Sequence, residues 1–95
     1  MTRLQPGQFD RIAKALADPR RFEMLSAIAA EDELPCRTLV AKFPVAQATV
    51  SHHLKELVVA GLVDERQEAQ SKFFRARRDV LEAYFTELRG RLGGF

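Results

Sequence analysis

Cysteine is nearly absent from this chain. The single thiol, Cys36, excludes an intrachain disulfide and fits a reducing compartment. No apolar run approaches the roughly 20 residues that a membrane-spanning helix needs, and residues 1–10 lack the apolar centre of a signal peptide, so a cytoplasmic protein without a membrane partner is expected. Internal repeats, low-complexity tracts and linkers of more than a few residues are also missing, which predicts one compact domain over residues 1–95. There is no Gly-rich phosphate loop, no recognisable Ser, His and Asp set and no pair of metal ligands. With a chain too short for a deep pocket, these absences argue against an enzyme and against a bound cofactor or metal.

What remains is ordinary globular material: 46% apolar and 29% charged residues in a chain of 95. A core of that size is marginal, and oligomerisation would support it. The net charge of +2 permits a nucleic-acid partner without requiring one, so the distribution of charge matters more than its sum. Lys72, Arg75, Arg77 and Arg78 form one basic block, Arg3 and the stretch from Arg11 to Arg21 supply a second, and Glu31, Asp32 and Glu33 make an acidic patch.

Periodicity gives the element order. Phe9, Ile12, Ala13 and Leu16 recur at helical spacing, which predicts a first helix from about Gln8 to Ala17. Asp18-Pro19 restarts the chain, Asp as a cap and Pro at the first helical position. The second helix then runs to about Ala30 with a stripe of Phe22, Leu25, Ile28 and Ala29. Pro35 opens a short third helix with Leu39, Val40 and Phe43 inward, and Pro44 ends it. A turn at Pro44-Val45-Ala46 leads into a fourth helix, with Val50, Leu54, Leu57 and Val58 inward, that stops at Gly61. Two strand-like runs follow, Leu62 to Gln67 and Lys72 to Ala76. Asp79 is placed to cap a fifth helix carrying Leu81, Tyr84, Phe85, Leu88 and Leu92, which Gly93-Gly94 stops. The fold expected is mainly α with a small β-hairpin: four helices, a hairpin and a fifth helix, the arrangement of a winged helix-turn-helix.

On the fourth helix, Ala48, Ser51, His52 and Lys55 point away from the apolar stripe. That face is small, polar and partly basic, as a helix entering the major groove requires. Gln47 can pair with adenine, and Ser51 and Thr49 can bond bases or phosphates. The Thr49 methyl suits a thymine methyl. His52 completes the base-reading set, with Lys55 and the hairpin residues Ser71 and Lys72 expected on the DNA backbone. Phe74 and Ala76 are expected inward, whereas Phe73 fits either the body or solvent.

Ala15-Leu16-Ala17-Asp18-Pro19-Arg20-Arg21, then Gln47-Ala48-Thr49-Val50-Ser51-His52-His53-Leu54-Lys55-Glu56-Leu57 and Ala60-Gly61-Leu62-Val63, resemble the ArsR/SmtB family of small winged-helix repressors. The resemblance covers nearly the whole chain. It implies a homodimer joined by the first and last helices, bound to an inverted-repeat operator in double-stranded DNA and blocking transcription until a signal releases it. The apolar residues agree with such a dimer, because Phe9, Ile12, Leu16, Leu81, Tyr84, Phe85 and Leu88 exceed what so small a core can bury.

Some members of that family sense metal through thiolates in a Glu-Leu-Cys-Val-Cys stretch, which resembles Glu33-Leu34-Pro35-Cys36-Arg37 here with both ligand positions replaced. A second family site, with Asp and His on the last helix, is also missing its His. His52 and His53, adjacent on a helix, diverge by about 100° and chelate poorly; His53 is expected at a packing boundary. Cys36 reads as a small, partly buried apolar residue or as a redox-sensitive thiol beside Arg37. The alternative function is a winged-helix module that binds another protein through its apolar terminal helices.

Overall fold

The computed structural model describes residues 2–95. Five helices and three short strands follow one another as α1 (Gln8–Ala17), α2 (Pro19–Ala29), β1 (Leu34–Pro35), α3 (Cys36–Lys42), α4 (Gln47–Val59), β2 (Val63–Glu68), β3 (Ser71–Ala76) and α5 (Arg78–Arg91). No helix among the described residues is long and apolar enough to cross a membrane.

The start of α2 follows from local chemistry. The Asp18 carboxylate accepts the Arg21 backbone N–H at 2.9 Å, and Pro19 occupies the first turn, where its missing N–H costs nothing. Its buried face, however, is Met24, Leu25 and Ile28, while Phe22 is 52% exposed. The expected stripe was thus rotated, because Phe22 outranks Met24 in hydrophobicity but lies on the outer side of the turn.

The hairpin is one part of a three-stranded antiparallel sheet in the order β1-β3-β2. Leu34 pairs with Phe74 and Pro35 with Phe73, so Pro35 ends an edge strand and α3 begins at Cys36. A two-residue strand containing Pro carries no alternation to read, and Pro is tolerated there because an edge position needs no N–H on its open side. Glu68 pairs with Ser71 across the hairpin tip, and Ala69 holds φ 54 there.

Ile12, Met24, Ile28, Leu39, Val50, Leu57 and Leu62 are wholly enclosed, with Phe74 from the central strand 2% exposed among them. The core is therefore shared by all the helices and the sheet.

The ends of α4 and α5 share one left-handed closure. At the end of α4 the Leu62 N–H reaches the Leu57 carbonyl at 3.0 Å and the Gly61 N–H the Val58 carbonyl at 2.9 Å, a paired closure that requires the φ of 81 seen at Gly61. Gly93 and Gly94 close α5 the same way, leaving Leu92 63% exposed rather than on the buried stripe. The start of α5 differs from expectation. Asp79 does not cap it: its carboxylate is held by Arg77 at 2.8 and 2.9 Å and accepts the Thr2 hydroxyl at 2.7 Å, and the helix begins one residue earlier at Arg78. A bidentate guanidinium outcompetes a backbone amide for the carboxylate.

Gly61 also touches α1. The Gln8 side-chain amide donates to the Ala60 carbonyl at 3.0 Å, and a Cβ on Gly61 would lie 2.5 Å from that same amide nitrogen. Gly61→Ala is therefore expected to lower the unfolding free energy by about 1–2 kcal/mol through its left-handed backbone, with a further loss from displacing Gln8. Urea titration of Gly61→Ala, Gln8→Ala and the double variant checks this. The Gly61→Ala cost should be smaller in the Gln8→Ala background, and strictly additive costs would refute the contact.

Candidate nucleic-acid interface

The geometry of the interface is set by α4. Its inner side, Val50, His53, Leu54 and Leu57, is buried, which leaves Gln47, Ala48, Thr49, Ser51, His52 and Lys55 exposed on the outer side. Val58, expected inward, is only half-buried, and His53 takes its place in the core-facing set. These residue types suit the helix start: no side chain caps it, and the Thr49 and Val50 amides return to the Ala46 carbonyl instead.

Between α4, α3 and the hairpin tip runs a groove of about 560 Å³. Gln47 and Ser51 line it from α4, Gln70, Ser71 and Lys72 from the hairpin, and Cys36, Arg37, Val40 and Ala41 from α3. Lys55 lies in an adjoining groove with Lys72, Ser51, Val59 and Glu65. Four of the seven residues expected to meet DNA thus line one channel, Lys55 lies in the groove that adjoins it, and Thr49 and His52 stand on the exposed face of the same helix. Arg37 lies in the channel too, although it was not among the residues expected there. Its signal was an exposed cation on the helix preceding the reading helix, which only the tertiary fold brings beside Ser51.

His53 ties this helix to α2. It is 8% exposed, and its Nδ1 accepts the Arg21 Nε–H at 3.3 Å, while Asp18 holds the Arg21 amide. Burial pushes the His53 imidazole below its ordinary value; Asp18 opposes that shift and Arg21 adds to it. The Asp18 carboxyl in turn is held low, mainly by the bond from the Arg21 amide. The His52 and His53 rings stand 5.9 Å apart and tilted, so they occupy different environments.

The basic block around the hairpin is largely answered by neighbouring acids. Arg66 makes a two-bond pair with Glu33 at 2.7 and 3.0 Å, reaches Glu68 at 3.1 Å and stacks 4.5 Å over Phe73. Phe73 therefore lies under a guanidinium, half-buried, on the face that joins the hairpin to the segment before α3. The Glu33 carboxyl is held below the usual carboxylate range chiefly by Arg66. Arg75 and Arg77 both approach Asp64 at 3.4 Å, and the Arg78 guanidinium donates to the Ala29 carbonyl at 2.6 Å. Lys72 is more loosely engaged, 3.8 Å from Glu65.

Cys36 is half-buried at the start of α3, packed against the core, with Pro35 and Arg37 on either side. Among the described residues no three His, Cys, Asp or Glu side chains cluster as metal ligands would. One thiol next to a guanidinium does not fit a thiolate metal centre.

The terminal helices present a separate apolar face. Phe85 is 48% exposed, and Phe9, Leu16, Leu81 and Leu88 are half-buried. Ile12 and Tyr84 are different: at 0% and 8% exposure they belong to the protomer's own core, because the α1 and α5 stripes turn inward at those positions. The rings of Phe9 and Tyr84 lie 5.0 Å apart, and the Arg91 guanidinium covers Phe9 at 3.8 Å.

A family model for a helix-turn-helix domain matches residues 16–66. The chain is 40% identical over 68 residues to the biofilm growth-associated repressor of Agrobacterium fabrum, spanning 72% of this chain and 57% of that one. It is 31% identical over 75 residues to the arsenical resistance operon repressor of Staphylococcus xylosus, spanning 79% and 71% respectively. Among solved structures, the homodimeric winged helix-turn-helix DNA-binding domain of a possible ArsR-family regulator from Mycobacterium bovis superposes with a TM-score of 0.72 at 28% identity, covering 85% of this chain and 75% of that one.

The burial of His53 makes the stability of the fold depend on pH. The unfolded chain binds a proton that the folded imidazole resists, so this contribution to stability is complete above about pH 6.5 and is lost as pH falls through the unfolded value. The urea midpoint should fall between pH 7 and pH 5, and His53→Gln, which keeps an acceptor for Arg21, should flatten that fall. An identical pH dependence in the variant would refute the assignment.

Proposed function

The chain belongs to the ArsR family of helix-turn-helix transcriptional regulators, and on that premise we propose that residues 1–95 act as one cytoplasmic, homodimeric repressor that reads an inverted-repeat operator in double-stranded DNA and is released by a signal. Two of its relatives are repressors, which supports reading this chain as a regulator and not as an enzyme. The observation that carries the proposal is the convergence of Gln47, Ser51, Ser71 and Lys72 on one channel, with Lys55 in the groove adjoining it, beside a helix whose outer face is small and polar.

In this reading, Gln47, Thr49, Ser51 and His52 meet base edges in the major groove, where short polar side chains permit close approach. Lys55, Ser71 and Lys72 rest on the backbone and set the register. Phe85, Phe9, Leu16, Leu81 and Leu88 form the contact between copies, with Ile12 and Tyr84 supporting it from behind. Two reading helices related by a twofold axis call for half-sites about one helical turn, or a multiple of it, apart.

Sedimentation equilibrium at micromolar concentration should give a dimer of the 10.8 kDa chain, and Phe85→Glu should shift it to monomer. A wild-type monomer would sink the dimer. On an operator found by footprinting, Ser51→Ala or His52→Ala should cost about 1–3 kcal/mol and narrow the gap to random duplex. Unchanged affinity and specificity in the folded double variant would remove these residues from base reading. Tight binding to a protein partner with no duplex binding at any salt would make the chain an interaction module instead.

A further inference from the structure

The charge pairing around the hairpin decides which cations are left to hold DNA. Arg66, Arg75 and Arg77 are bound to Glu33, Asp64, Glu68 and Asp79, and Arg78 to a carbonyl, so the arginines of the hairpin and its flank are engaged within the protein. Arg37 is different: it is exposed on α3 and makes no ion pair among the described residues. Across the groove stands Lys72, whose contact with Glu65 is long at 3.8 Å and half-exposed, the kind of pair that contributes little. The floor and walls between these two cations carry Gln47, Ser51, Gln70 and Ser71, all neutral hydrogen-bonding groups.

We propose that Arg37 and Lys72 clamp a phosphate of the DNA strand that runs between α4 and the hairpin. The inference rests on the operator-binding reading above. A helix seated in the major groove has a phosphate strand along each wall, and the groove of about 560 Å³ between α4 and the hairpin tip is where one of those strands passes. Arg37 sits on the helix that precedes the reading helix, the element that crosses the backbone when its successor enters the groove. Its planar guanidinium suits two oxygens of one phosphate, and Lys72 supplies a point charge from the opposite side.

The test is the salt dependence of binding to the operator and to a random duplex. Arg37→Ala should lower affinity for both by the same factor and reduce the magnitude of the slope of log K against log salt by about 0.9. The ratio of wild-type to variant affinity then shrinks about threefold between about 50 and 200 mM salt. Lys72→Ala should do the same, and Arg37→Lys should restore the slope. Arg89→Ala, which removes the same charge from the last turn of α5, should leave the slope unchanged. A wild-type slope in Arg37→Ala overturns the clamp, as does an equal loss in Arg89→Ala or a loss confined to the operator. If the wild-type protein binds no duplex at all, the operator reading fails and the clamp falls with it.

Discussion

Burial of one side of α4 constrains every element around it. Val50, His53, Leu54 and Leu57 have to be covered, and α2, the sheet and α1 are arranged to cover them. The opposite side is bare, and the large apolar side chain exposed on it, Val59, lies beyond the leading turns. A fixed rotation of the helix about its own axis follows, because a turn of part of a residue would expose Val50 or bury Ser51. The Arg21–His53 bond sharpens this. It is a polar contact inside an apolar seam, and such a bond has one good geometry where hydrophobic packing tolerates several.

The electrostatics of the hairpin follow a second logic. Acidic residues at positions 64, 65 and 68 look unhelpful beside nucleic acid, yet each sits next to a cation in the structure. Asp64 joins Arg75 and Arg77, and Glu33 joins Arg66 above Phe73. These exposed pairs add little stability singly. Their joint effect is positional: the segment before α3 is fastened to β2 and β3 at the same place where Leu34 and Pro35 complete the sheet. The hairpin is thereby joined to the segment before α3 along one wall of the groove.

Much of this architecture was legible in the sequence. The helices of the first half announce themselves through Asp18-Pro19, Pro44 and Gly61, where backbone chemistry leaves few options, and the boundaries fall within a residue or two of those marks. What escaped notice depended on contacts distant in sequence. The two-residue strand at Leu34 exists only because Phe74 is beside it. Asp79 looked like a cap until Arg77 and Thr2 claimed its carboxylate. Ile12 and Tyr84 belong to stripes that are half inward and half outward, and periodicity cannot separate the two halves. The candidate DNA-facing set on α4 followed from its own period, whereas Arg37 needed three elements brought together.

The joint between Gln8 and Gly61 has a mechanical meaning. The first helix meets the end of the reading helix through an amide lodged where no side chain fits. In the dimer proposed above, that joint would be the short limb of a caliper whose jaws are the two α4 helices, with their opening gauged by how α1 lies against the tail of each.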